Sequence, residues 1–294
     1  MTIRFALIFT ALFIIGIRSS FAQEPGAVIF HITSSHTAFP DTGRAKGHIY
    51  AKVLYTEAEH YHDSTVLIIA PKKLDAKKTV DLVFWFHGWR NHVDSAASFY
   101  QLTRQFIASH ENAVLILPET ARDAPDGYGG KLENEGVFKA LVADVLNGMK
   151  AQKLIGKDCQ PGHILLGGHS GAYRVIAHIL QNGQMPVGQV MLFDALYANT
   201  AQFINWLKAD TAHRFSQIYT DHGGTVDESH NMIKLLAQEH LPYTETEEID
   251  LTPQMVKNER ILFIHSLHEH NDIICNPDNF QLFLENSPFL KKIR

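Results

Sequence analysis

Apolar positions along this chain gather into short, nearly unbroken runs separated by longer amphipathic segments. The runs are Val80–Phe86, Ala113–Leu117, His163–Leu166, Gln189–Phe193, Phe215–Tyr219 and Ile261–Ile264. Runs of this length, apolar at successive positions, suit strands covered on both faces in a parallel sheet. Three earlier runs, Ala27–Ile32, His48–Leu54 and Ser64–Ile69, predict an antiparallel start. Between the runs the period becomes helical. Phe99, Leu102 and Phe106 recur at helix spacing behind Asp94, which predicts a helix capped by that carboxylate. Asn134–Lys150 carries Val137, Leu141, Val145 and Met149 on one helical face. Asn276-Pro277 fits an N-cap with Pro at the first helical position, ahead of Phe280–Leu284. Pro and Gly fall in short turn clusters, with no internal repeat or low-complexity linker. The alternation predicts an α/β architecture, helices on both faces of a mostly parallel sheet. In such sheets ligands bind beyond the C-terminal strand edges, which says where to look for chemistry.

The first residues break the pattern. Arg4 precedes an apolar run, Phe5 to Ile17, and Ser20-Phe21-Ala22 supplies small residues around a cleavage site. This is the form of a secretory signal peptide, too short to span a bilayer comfortably. Residues 1–22 are therefore expected to be removed and 23–294 to form one exported domain without a transmembrane anchor. Composition agrees with a globular chain: 45% hydrophobic and 19% charged. A net charge of −5 argues against nucleic-acid binding, which needs a concentrated basic surface. Two cysteines cannot build a disulfide framework or a four-thiolate zinc site. Export permits a Cys159–Cys275 bridge, but the topology opposes it. Cys159 precedes a strand and Cys275 follows a loop at the opposite sheet edge, whereas bridged Cα atoms lie within about 7 Å.

The strand His163–Leu166 runs into Gly167-Gly168-His169-Ser170-Gly171-Ala172, and a helical segment follows at once. Gly168 and Ala172 are small enough for a sharp turn that lifts the Ser170 hydroxyl over the sheet edge. This unit resembles the G-x-S-x-G nucleophile elbow of the α/β-hydrolase superfamily, with Ala172 in place of the last Gly. A serine needs a base for its proton and donors for the developing oxyanion. The resemblance implies that the loop after strand Val83–Phe86, in His87-Gly88-Trp89, gives one oxyanion donor, the Trp89 N–H. The residue after the nucleophile, Gly171, gives the other. His87 is expected to order this loop, because superfamily order places the base after the serine.

The base is expected after the last strand, in His265-Ser266-Leu267-His268-Glu269-His270. His270 is favoured for its reach, with His268 the alternative. Two acids end the intervening strands, Asp194 and Asp221. The superfamily more often uses the position of Asp221. Phe193-Asp194-Ala195, however, resembles the acid segment of platelet-activating-factor acetylhydrolases, and apolar neighbours would bury Asp194 beside an imidazole. Asp194 is preferred, Asp221 kept as the alternative. The resemblance implies a serine hydrolase that cleaves small-molecule or lipid-like esters through an acyl-enzyme and needs no cofactor. Amide cleavage by the same triad, or an inactive fold kept for binding, are the alternatives.

The interval Ala195 to Arg214 has room for little more than one helix, so no large lid is expected there. Trp89, Tyr128 and Tyr197 are candidates to shape an apolar site or to serve in ordinary packing. The 18 histidines invite a metal reading. His60-x-His62 and His268-x-His270 resemble ligand pairs, but the rest are dispersed and no metal site is expected.

Overall fold

The computed structural model describes residues 24–293, so the leader expected over 1–22 lies outside the described residues. The strands are β1 (Ala27–Thr33), β2 (His48–Tyr50), β3 (Val53–Tyr55), β4 (Thr65–Pro71), β5 (Thr79–Phe86), β6 (Ala113–Pro118), β7 (Gln160–His169), β8 (Gln189–Phe193), β9 (Arg214–Thr220), β10 (Thr244–Glu247) and β11 (Ile261–Ser266). The helices are α1 (Glu57–His60), α2 (Val93–Phe99), α3 (Leu102–Ala108), α4 (Val137–Ala151), α5 (Tyr173–Asn182), α6 (Thr200–Ala209), α7 (Val226–Gln238), α8 (Pro253–Asn258) and α9 (Asn279–Glu285).

Nine strands form one sheet in the order β1-β4-β6-β5-β7-β8-β9-β11-β10. From β6 to β10 all neighbours are parallel. β4 runs antiparallel to β1, as the early strand pattern predicted, and antiparallel also to β6, which the pattern did not predict. Strand residues alternate between two cores. Leu82, Phe84 and Phe86 pack under α4 to α7, while Val83 and Trp85 pack under α2, α3, α8 and α9. Two-sided burial explains why these strands read as continuous apolar runs.

Several elements depart from the sequence pattern. His48–Leu54 is not one strand but lies within a hairpin, β2 and β3, with Ala51 (φ 48°) and Lys52 (φ 68°) at its turn. Left-handed backbone at non-glycine residues costs roughly 1–2 kcal/mol each, and the turn lacks the Asn or Gly that would announce it. The helix behind Asp94 is two helices, broken where Gln101 takes φ 51°. Asp94 is not its cap but lies in the first turn of α2 and meets His31 Nε2 at 2.7 Å. The last helix begins at Asn279 behind Asp278, after the Asn276-Pro277 pair. β10, Thr-Glu-Thr-Glu, has no apolar position to reveal it and is held by pairing with β11 at the sheet edge. The interval between β8 and β9 holds one helix, α6. Cys159 and Cys275 are both free thiols. No helix among the described residues is long and apolar enough to cross a membrane.

Candidate active site

β7 ends at His169, and the chain turns at Ser170 with φ 55° before α5 begins. A non-glycine residue in this region is strained, and such strain is held in place by its surroundings. Here the packing is close. A Cβ on Gly168 would lie 2.7 Å from Ala172 Cβ, and one on Gly88 would lie 2.7 Å from Ser170 Cβ. The first contact lets α5 close on β7. The second brings the loop after β5 against the serine. Trp89 continues that loop, and its indole Cδ1 would be 2.5 Å from a Cβ on Gly171. The two residues expected to donate N–H groups are thus neighbours beside Ser170.

The loop is clamped from below. His87 is buried, with Nδ1 2.8 Å from Gly88 O and Nε2 2.6 Å from Glu119 Oε1. Thr120 Oγ1 also lies 2.9 Å from Nε2; the Gly88 carbonyl only accepts, so Nδ1 carries a proton. Burial works against the imidazolium, but hydrogen bonding and charge from Glu119 prevail and the His87 pKa is raised. His87 Nδ1 therefore donates to the carbonyl of the peptide whose N–H belongs to Trp89. Such a bond orients that peptide and strengthens its N–H as a donor.

His270 Nδ1 lies 2.5 Å from Asp194 Oδ2. Asp194 follows β8 with φ 45° and is fully buried. Its other oxygen accepts from the Thr225 hydroxyl, which is also buried. Gly223 seals the pair, since a Cβ there would lie 1.3 Å from Asp194 Oδ2 and 2.8 Å from His270 Nδ1. Only a residue without a side chain can occupy that place. The Tyr197 hydroxyl donates to Gly223 O, the carbonyl of the glycine closed over Asp194 and His270. Burial and the charge of Asp194 push the Tyr197 pKa up to about 12, so the phenol stays protonated.

The His270 loop has its own tether. His169 Nε2 is 2.9 Å from His270 O, and the two rings sit 4.3 Å apart. A carbonyl only accepts, so Nε2 carries the proton. His169 Nδ1 lies 3.0 Å from Tyr100 Oη, which is 3.1 Å from Asn271 Oδ1. Burial, with the charge of His270 adding to it, pushes His169 down to about 3, leaving it neutral.

The other candidates lie elsewhere. Asp221 is exposed and pairs with His265 Nε2 at 3.2 Å, while His265 Nδ1 meets Glu247 at 2.8 Å. His268 approaches Glu248 at 3.7 Å. Tyr128 is the exception: it bonds Asp41 and packs against the Arg44 and Arg174 guanidinium groups, and it also lines a small cavity with Gly171 and His87. His60 and His62 hydrogen-bond Arg122 O and Glu57. The sequence reading missed Gly223, Thr225, Tyr100 and the tether made by His169. The small residues at Gly223-Gly224 and the side chain just before the serine are the signals that could have found two of them.

No protein-family model matches the chain, and no curated protein matches it. Solved structures do. A feruloyl esterase module from Clostridium thermocellum, complexed with sinapinate, aligns with TM-score 0.57 at 9% identity, over 90% of this chain and 89% of that one. The CE1 ferulic acid esterase of the anaerobic fungus Anaeromyces mucronatus aligns with TM-score 0.53 at 13% identity, over 92% and 94%. A further ferulic acid esterase gives 0.51 at 9%, over 88% and 97%. At such identities the likeness is one of fold. With the strand order and the elbow between β7 and α5, it shows that this chain has the α/β-hydrolase fold. The structures named here are esterases, and none is a platelet-activating-factor acetylhydrolase.

Proposed function

We propose that this chain is an exported serine hydrolase that cleaves carboxylic esters through an acyl-enzyme. The observation that carries the reading is the buried Asp194 carboxylate on His270 Nδ1, at the strand end paired with the one that leads into Ser170 and its strained strand–helix turn. That contact fixes the tautomer and leaves Nε2 as the basic nitrogen. Ser170 Oγ attacks the ester carbonyl carbon while His270 Nε2 takes its proton. The carbonyl oxygen becomes an oxyanion held by the Trp89 and Gly171 N–H groups. Collapse breaks the bond to the alkoxy oxygen, which leaves as alcohol with the proton from His270. Water then attacks the acyl-serine, His270 takes one of its protons, and collapse returns a proton to Ser170 and releases the acid. Asp194 keeps its charge throughout and offsets the imidazolium. Esterases among the fold neighbours support an ester as the bond cleaved. Export rests on the form of the leader sequence.

The test is labelling of the purified protein by a fluorophosphonate, beside Ser170→Ala, followed by turnover of p-nitrophenyl acetate and a peptide anilide. Labelling confined to the unsubstituted protein and turnover of the ester are expected. Labelling that persists in Ser170→Ala overturns the nucleophile, and faster anilide cleavage overturns the ester preference.

A further inference from the structure

Among the described residues, four of the eight exposed large hydrophobic side chains lie in the β2–β3 hairpin. Ile49 is 69% exposed, Leu54 54%, Val53 53% and Tyr50 38%. Monomeric proteins seldom leave such residues clustered in water without use. Pairing sorts them by face: Tyr50 stands opposite Val53, and Ile49 opposite Leu54. The Tyr50 face meets the active site. Its ring packs edge-on against Trp89, with centroids 5.4 Å apart, and Trp89 is itself 44% exposed. The same indole lies against Gly171, the residue after the nucleophile. An apolar path therefore runs outward from the serine over Trp89 and Tyr50 to Val53. The hairpin is held in place at its base. Arg44 pairs with Asp126 at 2.5 Å, and a Cβ on Gly47 would lie 2.3 Å from Tyr55 O.

We propose that Trp89, Tyr50 and Val53 form a subsite for the apolar half of the ester, so that the preferred substrates carry a large hydrophobic acyl or alkoxy group. The inference rests on the proposed hydrolysis at Ser170. Continuity with that serine identifies the occupant: a group covalently attached to the reacting carbonyl is the one that must lie along this path. Burying its hydrocarbon against Trp89 and Tyr50 removes apolar area of both from water. The Ile49–Leu54 face points the other way and gives a control for nonspecific stickiness.

The test compares kcat/KM for two ester series, methyl esters from acetate to octanoate and acetates from methyl to octyl. Each is followed below its micellar concentration by proton release. One series should rise by at least about tenfold with length. Tyr50→Ala combined with Val53→Ser should remove most of that gain, mainly through KM. Circular dichroism and urea unfolding of the variant report that it is folded. Flat length profiles in both series, or a profile that survives the double substitution, overturns the subsite. The octyl and octanoate esters are then taken above their micellar concentration, where a jump in rate that is lost in Ile49→Ser with Leu54→Ser but kept in the Tyr50 variant overturns it in favour of a lipid surface. Absence of turnover on every ester in the unsubstituted protein defeats the hydrolase reading itself, an outcome distinct from these.

Discussion

His270 with Asp194 and His265 with Asp221 are the same two side-chain types meeting at adjacent strand ends of one sheet. β8 and β9 are neighbours, and each is followed by its aspartate. Their surroundings differ. The Asp194 side chain is 0% exposed and that of Asp221 56%. Asp194 has a fixed second partner in Thr225 and a glycine closed over it. Asp221 shares its histidine with Glu247, itself facing solvent. An ion pair in water is screened and free to reorient, whereas a buried carboxylate holds one proton in one direction. The first pair can fix a tautomer, and the second can only add local charge.

The largest expected effect separates the two acids. Asp194→Asn should lower kcat by about 10³–10⁴, since an amide in that place favours the wrong imidazole tautomer. Asp221→Asn should stay within about threefold, because a partly exposed pair away from the serine contributes little. Steady-state ester hydrolysis on both variants measures this. Equal losses, or a larger loss in Asp221→Asn, would break the contrast between buried and exposed acid.

A smaller effect, on the same pair, is expected from Gly223. The Cβ of Gly223→Ala would need space that Asp194 Oδ2 and His270 Nδ1 now occupy. A misplacement of about 1 Å near the reacting groups can cost about 10² in rate. Gly223→Ala should therefore lose about a hundredfold in kcat with KM little changed. Gly224→Ala offers the matched control at the adjacent residue, where the nearest atom would be Tyr197 Cε1 at 3.6 Å, although its φ of 88° adds strain of its own. Full activity in Gly223→Ala would show that the carboxylate–imidazole contact is not needed as drawn.

What was legible in the sequence follows from where each feature is encoded. The elbow is contiguous, so Gly168, Ser170 and Ala172 announce it, and the sheet is legible because burial on both faces forces apolar runs. The choice between Asp194 and Asp221 is encoded elsewhere. Both end strands, and what distinguishes them is a glycine near Asp221 in sequence that folds over Asp194 in space. His270 is reached from β11, and its carbonyl is pinned by His169 across 101 positions. No local pattern carries such a contact. The β2–β3 turn uses Ala51 and Lys52 against their own preference, so propensity pointed away from a hairpin. β10 is charged and polar throughout and exists by pairing alone.

The smallest expected effect lies in the exposed pair and shows what that pair does in place of chemistry. Burial lowers the His265 pKa, but its bonds to Glu247 and Asp221 outweigh this and raise it above the ordinary imidazole value. A histidine raised on folding stabilises the native state fully below its unfolded pKa of about 6.5, and this stabilisation fades as pH climbs through the folded value. With both carboxylates more than half exposed, solvent screening holds the contribution to about 1 kcal/mol or less. His265→Gln should therefore lower unfolding free energy by up to about 1 kcal/mol near pH 5.5 and by almost nothing near pH 9. Urea unfolding of both proteins at the two pH values measures the difference, and p-nitrophenyl ester turnover should be nearly the same in each. A gap that widens toward alkaline pH would reverse the sign argued for His265. A large loss of turnover would place the exposed pair in the reaction and undo the distinction from Asp194 and His270.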